Sequence, residues 1–331
     1  MKPFDSDSGV DRRALLLGGG GAAIASGARS ATGGGGGPLP SKAAYLTVWA
    51  AAEKVELWPD GAPDARAFRR QPEPPDADPA RIFNIERPAL HVFRSPRPNG
   101  QGLLVMPGGG YGFVSVDNEG LDVADRFNPF GVTVFVLTYR LPGEGWARRG
   151  DVPLQDAQRA MRLIRSRAGA FGVDPDRLAA LGFSAGGHLA ASLATDFAAE
   201  VYDPVDAADA LSARPFAAGL IYPVIAMEPP FTHQGSRDLL LGPDPSPEAV
   251  AARSPLRHVG AQTPPLFLAH AMDDDGVPAD NSLLMAAAMR AAKRPVEAHL
   301  FQEGRHAFGI GRPGTGGALW PDLFRLWLER L

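Results

Sequence analysis

The pentapeptide Gly182-Phe183-Ser184-Ala185-Gly186 sets a serine between an apolar run, Arg177-Leu178-Ala179-Ala180-Leu181, and a helix-forming stretch, His188-Leu189-Ala190-Ala191-Ser192-Leu193-Ala194. A strand that turns directly into a helix at one serine holds the hydroxyl clear of its own backbone. Glycines two residues to either side permit the crowding this creates. In a chain with 39 glycines the bare pattern G-x-S-x-G recurs by chance, so the strand before it and the helix after it carry the inference. The feature predicts a nucleophile elbow at the C-terminal edge of a sheet.

An elbow of this kind is followed in the chain by an acid and then a histidine. Pro265-Leu266-Phe267-Leu268-Ala269-His270 has a buried-strand pattern and runs into Asp273-Asp274-Asp275-Gly276-Val277-Pro278. Val296-Glu297-Ala298-His299-Leu300-Phe301 alternates as a strand and precedes the loop Glu303-Gly304-Arg305-His306-Ala307-Phe308-Gly309. A neutral serine hydroxyl is a poor nucleophile and needs a base with a pKa near neutrality, which His306 supplies. A carboxylate then fixes the imidazole tautomer and stabilises the imidazolium. Three consecutive aspartates cannot all be buried as anions. Asp274 is assigned the role and Asp273 is the alternative, the remainder being solvated or capping the helix that starts near Pro278.

The other histidines fit the base less well. His188 points into the helix after the elbow, His91 and His299 sit in strand patterns, and His270 lies within a buried strand. His233 and His258 fall in the irregular segment 228–263, where they are either solvated or in contact with substrate. No spacing among the seven histidines reads as a metal site, and no cofactor is expected.

Met106-Pro107-Gly108-Gly109-Gly110-Tyr111-Gly112 follows the apolar strand Gly102-Leu103-Leu104-Val105. Charge developing on a carbonyl oxygen needs donors already in place, and glycine lets backbone N–H groups approach without a Cβ in the way. Gly109 and Gly110, with the N–H of Ala185, are assigned as these donors. A nucleotide-phosphate loop is the rival reading. It lacks the Gly-x-x-x-x-Gly-Lys-Ser/Thr pattern and the acidic residue after a second strand that a dinucleotide fold carries.

With Tyr139-Arg140-Leu141-Pro142 and Leu154-Gln155-Asp156-Ala157-Gln158-Arg159-Ala160 added to these motifs, the chain from about Trp58 to its C-terminus resembles an α/β-hydrolase of the acetyl-xylan esterase-like, feruloyl esterase-like group. The resemblance implies a mostly parallel central sheet with helices on both faces and a small insertion over the active site. It implies serine-dependent hydrolysis of short acyl esters, often acetyl groups on plant-cell-wall sugars. Two positions depart from the family pattern. Arg305 and Ala307 flank His306 where glycines are common, and Asp275-Gly276 stands where proline and a β-branched residue are more usual.

Strand patterns at Leu90 to Phe93, Gly102 to Met106, Val132 to Thr138, Arg177 to Gly182, Ala217 to Val224, Pro265 to His270 and Val296 to Phe301 alternate with helical ones, which predicts parallel βα order. Leu154, Ala157, Met161, Ile164 and Ala168 form one apolar stripe, leaving Arg159, Arg162, Arg165 and Arg167 on other faces and solvated. Gln71 to Pro79 reads as an extended surface loop, and short helices are expected at Ser236 to Leu241 and Pro247 to Ala252. So small an insertion leaves an open, shallow site suited to a bulky polar alcohol. Tyr111, Phe113, Trp146, Phe231 and Phe308 are candidates for its walls, or for packing.

At 331 residues, 45% hydrophobic and 21% charged, the chain suits one catalytic domain, placed at 42–331. A net charge of −4 with no basic block argues against nucleic acid, and the absence of cysteine excludes disulfides and thiol catalysis. Asp11-Arg12-Arg13-Ala14-Leu15-Leu16-Leu17 opens an apolar stretch through Ala25 that resembles a twin-arginine export signal, assigned to residues 1–31 with processing after Ala28. Asp11 stands where serine or threonine is more usual, and an uncleaved disordered tail is the alternative. The stretch is too short for a membrane span. Residues 32–41 read as a Gly/Pro-rich linker. An exported enzyme, periplasmic or extracellular, acting on a small-molecule or oligosaccharide ester is expected. The alternatives are a feruloyl or general short-chain esterase or lipase, a prolyl oligopeptidase-like peptidase, and a catalytically silent hydrolase-like binding protein.

Overall fold

The structure, a computed structural model, describes residues 42–331, with side chains from Tyr45 onward. The export signal expected at 1–31 and the Gly/Pro-rich linker expected at 32–41 both lie outside the described residues. Among the described residues no helix is long and apolar enough to cross a membrane.

Ten strands occur among them: β1 Glu53–Glu56, β2 Arg81–Ile82, β3 Ala89–Phe93, β4 Gly100–Met106, β5 Val114–Ser115, β6 Thr133–Thr138, β7 Val173–Phe183, β8 Ala218–Ile221, β9 Leu266–Ala271 and β10 Val296–Phe301. Eight join one sheet in the order β1-β3-β6-β4-β7-β8-β9-β10, and β2 pairs with β5 separately. From β6 to β10 neighbours run parallel. Only the pairings β1–β3 and β3–β6, at one edge, are antiparallel, so β3 alone runs against the others. This is the parallel βα order that the strand patterns predict, and the mostly parallel sheet that the resemblance implies.

Strands β6 and β9 are buried at every position because helices cover both faces of the sheet. Alternate side chains go to opposite layers. Leu103, Val105, Val134 and Val136 pack with α2 (Asp122–Phe127) and α9 (Trp320–Glu329). Leu104, Met106, Phe135 and Leu137 share a core with α3 (Val152–Ser166), α5 (Ser184–Thr195) and α8 (Asp280–Ala291). The loops after β4, β7, β9 and β10 therefore all emerge at the carboxyl edge of the sheet, where ligands bind in open α/β folds.

The stripe Leu154, Ala157, Met161, Ile164 and Ala168 is buried as its spacing predicts. Of the arginines beside it, Arg167 is exposed as expected, but Arg159, Arg162 and Arg165 are not simply solvated. Arg159 is only 1% exposed, pairing with Asp206 at 2.6 Å and Asp209 at 2.9 Å and donating to the Leu57 carbonyl. Arg162 donates to the Tyr202 hydroxyl, and Arg165 to the carbonyls of Pro175 and Arg214. The strand expected over Ala217 to Val224 stops at Ile221, because Tyr222 turns to φ 36°.

Arg140 and Asp156 account for two of the sequence motifs. Both are fully buried. Asp156 accepts from the Arg140 backbone N–H, from its guanidinium at 2.8 Å and from Trp58 Nε1, so every lone-pair direction is used. The pair clamps the turn after β6 onto the first turns of α3. Asp156→Ala leaves a buried guanidinium uncompensated and is expected to destabilise the fold by about 3–5 kcal/mol in denaturant titration.

Candidate active site

Strand β7 ends at Phe183 and α5 begins at Ser184, whose φ of 52° lies in the left-handed region. A Cβ on Gly182 would stand 2.1 Å from the Gly186 carbonyl oxygen, and one on Gly186 would stand 2.0 Å from that of Met106. Strand, helix and the neighbouring end of β4 approach so closely that glycine is required at both places. The serine is thereby pushed out over the carboxyl edge.

The loops after β9 and β10 bring two groups to it. Ser184 Oγ lies 2.9 Å from His306 Nε2, and His306 Nδ1 lies 2.8 Å from Asp274 Oδ2. The other oxygen, Oδ1, accepts from the N–H groups of Gly276 and Val277. His270 Nε2 stands 3.2 Å from Oδ2, while its Nδ1 meets Ser282 Oγ. Burial acts to raise the Asp274 carboxyl pKa. The hydrogen bonds from His270, His306 and the Val277 N–H outweigh it and hold the group well below the usual carboxylate range. Asp273, the alternative acid, is exposed and accepts instead from the Arg305 N–H at 2.8 Å. It anchors the histidine loop, not the imidazole.

Arg305 and Ala307 have φ of 58° and 59°. This explains why glycine suits the positions flanking such a histidine: each L-residue there carries about 1–2 kcal/mol of strain. The Arg305 side chain projects into solvent.

The glycine loop after β4 folds back sharply, with Gly109 at φ 130° and Gly110 at φ 62°. A Cβ on Gly109 would strike the Phe113 carbonyl oxygen at 2.1 Å. The Gly109 carbonyl is occupied by the N–H groups of Gly112 and Phe113, and the Gly108 N–H is held by Glu119 Oε2 at 2.6 Å. Glu119 was not singled out from the sequence. It is 3% exposed, and its Oε1 accepts from the Tyr222 hydroxyl at 2.7 Å, which in turn accepts from the Gly309 N–H. One buried carboxylate thus ties the glycine loop to the histidine loop. Burial raises its pKa, and the bonds from Tyr222 and Gly108 oppose the rise. An isolated glutamate in a polar loop carries no sequence signal for such a role.

An open cleft of about 570 Å³ is lined by Ser184, His306, Gly109, Gly110, Phe113 and His233, and also by Asp78 and Arg81. Phe113 is the one aromatic candidate that lines it. Tyr111 is buried, its hydroxyl 2.6 Å from His188 Nδ1. Trp146 is buried against the Arg140 guanidinium and Phe68. Phe308 is buried with its ring 4.5 Å from that of Tyr222. Phe231 precedes α6 (Gln234–Leu241), its carbonyl bound by Asn281, and stays out of the cleft. Tyr111, Trp146 and Phe308 are thus packing residues and not walls, and Phe231 is half-buried outside the lining. His258 pairs with Asp196 away from the cleft. A larger hollow of about 990 Å³ shares no residue with this cleft, and Arg162 and Gln158 in its wall already bond to protein groups.

A mostly parallel sheet with a serine at the strand-to-helix elbow, and an acid and a histidine delivered by later strand ends, defines an α/β-hydrolase. The BD-FAE family model matches residues 103–289, and the chain belongs to that family. It is 32% identical over 225 residues to the acetylxylan esterase of Xylanibacter ruminicola, covering 66% of this chain and 43% of that protein. It is 36% identical over 208 residues to endo-1,4-beta-xylanase B of Butyrivibrio fibrisolvens, covering 63% and 32%. The chain therefore matches less than half the length of these two relatives. Among solved structures, the acetyl ester-xyloside bifunctional hydrolase of Caldicellulosiruptor lactoaceticus superposes with a TM-score of 0.70 at 35% identity, covering 84% of this chain and 96% of that one.

Proposed function

We propose that the protein is a serine-dependent carboxylic ester hydrolase that removes short acyl groups, acetyl foremost, from xylan-derived or related carbohydrates. The observation that carries this reading is the unbroken relay from Ser184 Oγ through His306 to Asp274, with both hydrogen bonds under 3 Å. The names of the acetylxylan esterase and the acetyl ester-xyloside hydrolase support the substrate class. So does an open cleft whose lining includes the polar side chains of Arg81, Asp117 and Asn118.

Ser184 Oγ attacks the ester carbonyl carbon while its proton passes to His306 Nε2. Asp274 holds the Nδ1–H tautomer and stabilises the imidazolium. The oxygen of the tetrahedral intermediate is received by the N–H groups of Gly109, Gly110 and Ala185, each worth about 3–4 kcal/mol of transition-state stabilisation. The intermediate collapses by breaking the carbon–oxygen bond to the alcohol, which takes the proton from His306. Water then repeats the sequence on the acyl-serine and releases the acid. Export through the twin-arginine-type segment would place this reaction on polymer fragments outside the cytoplasm.

Initial rates on acetylated xylo-oligosaccharides, p-nitrophenyl acetate, butyrate and octanoate, and methyl ferulate test the reading. Acetate release from the sugar, with rates falling as the acyl chain lengthens, is the expected result. Activity confined to long acyl chains or to ferulate would contradict it.

A further inference from the structure

His233 stands in the wall of the cleft with Ser184 and His306 and has no part in the reaction described above. Its ring is fixed by the helix it caps. Nδ1 accepts from the Ser236 backbone N–H at 3.3 Å and lies 2.8 Å from Ser236 Oγ, which donates to it as well. A ring nitrogen that accepts carries no proton, so in the neutral ring the proton sits on Nε2. That Nε2–H bonds to no other described residue.

Helix α6 is seated on the glycine loop, so this donor has a fixed place. A Cβ built on Gly110 would come within 3.9 Å of Ser236 Oγ, and one on Gly112 within 3.3 Å of Leu239 Cδ1. Burial, and then the facing His306, lower the His233 pKa below its ordinary value, which keeps the ring neutral and Nδ1 free to accept. A neutral donor in the wall of the cleft that holds Ser184 needs an acceptor. The methyl of an acetyl group offers none, whereas the alcohol side of a sugar ester offers hydroxyl and ring oxygens.

We propose that His233 is a specificity-determining residue whose Nε2–H donates to an oxygen of the substrate's alcohol, selecting polyhydroxylated acetyl esters over simple alkyl or aryl acetates. The inference rests on the sugar-ester reading of the cleft. It assigns to the insertion a binding role that the reaction chemistry does not require.

Two substitutions separate the donor from the cap. In His233→Asn the amide reaches the place of Nδ1 and keeps an N-capping side chain, but nothing reaches the place of Nε2. In His233→Gln the amide nitrogen reaches toward Nε2 while the cap is weakened. The readout is the ratio of kcat/KM on acetylated xylobiose to kcat/KM on p-nitrophenyl acetate. His233→Asn is expected to lower this ratio about tenfold, the worth of one hydrogen bond to substrate, and His233→Gln to hold it within about threefold of the parent. Equal losses on both substrates, or an unchanged ratio in His233→Asn, would overturn the role of His233 while leaving the sugar-ester reading intact. A parent enzyme that cleaves the aryl acetate but releases no acetate from the sugar would instead contradict that reading, and the inference with it.

Discussion

Ser184→Ala is expected to lower kcat by about a millionfold on every ester the enzyme accepts, because serine and base act as a unit. The residual rate would reflect only the oxyanion donors and binding. The fold should be unaffected: among the described residues Ser184 Oγ has no partner besides His306 Nε2, and its removal leaves no buried group unsatisfied, since His306 is reached by the open cleft. Steady-state rates with thermal melting alongside check this. Turnover within about tenfold of the parent would remove Ser184 from the chemistry.

Asp274→Asn should have the second-largest effect, about ten thousandfold in kcat. The amide nitrogen would donate to His306 Nδ1, forcing the ring proton onto Nε2, where it faces Ser184 and cannot accept. Because the residues are not additive, Ser184→Ala with Asp274→Asn should be no slower than Ser184→Ala alone. The same substitution has a stability signature. The folded-state pKa of Asp274 is depressed, so its contribution is present above the unfolded value of about 4 and is lost as pH falls through the lower folded value. Denaturant titrations should therefore show the variant least stable relative to the parent at neutral pH, with the gap closing below about pH 4. In the parent the carboxylate stays ionised throughout the neutral range, so its titration does not shape the pH–rate profile there.

The parts legible in the sequence were those whose signal is local. Fully covered strands such as Thr133–Thr138 and Leu266–Ala271 read as apolar runs because helices hide both faces. The elbow and the glycine loop read as glycine clusters because a Cβ at Gly182, Gly186 or Gly109 would overlap backbone oxygen. Edge strand Glu53–Glu56 buries only Val55 and has no such pattern. Arg159 resembled any helical surface arginine, since its partners Asp206 and Asp209 are brought back by the fold from 47 and 50 positions along the chain.

The aromatic residues show the same division. Tyr111, Trp146 and Phe308 lie next to motif residues in the chain, and what they pack against includes remote residues: His188, Phe68 and Tyr222. Proximity in sequence to a catalytic segment did not distinguish wall from core. His233 is the converse case. Its identity as an N-cap with a fixed tautomer depends on Ser236 three residues on, but its position in the cleft depends on how α6 lies against the glycine loop.

The central claim is that Ser184 becomes the acyl-enzyme nucleophile, and covalent labelling tests it most directly. After treatment with a fluorophosphonate, intact-mass and peptide-mass measurements should find one phosphonyl group, on the peptide carrying Ser184, with no labelling of Ser184→Ala and with loss of activity proportional to label incorporated. A label on another residue, or full incorporation in Ser184→Ala, would contradict the account.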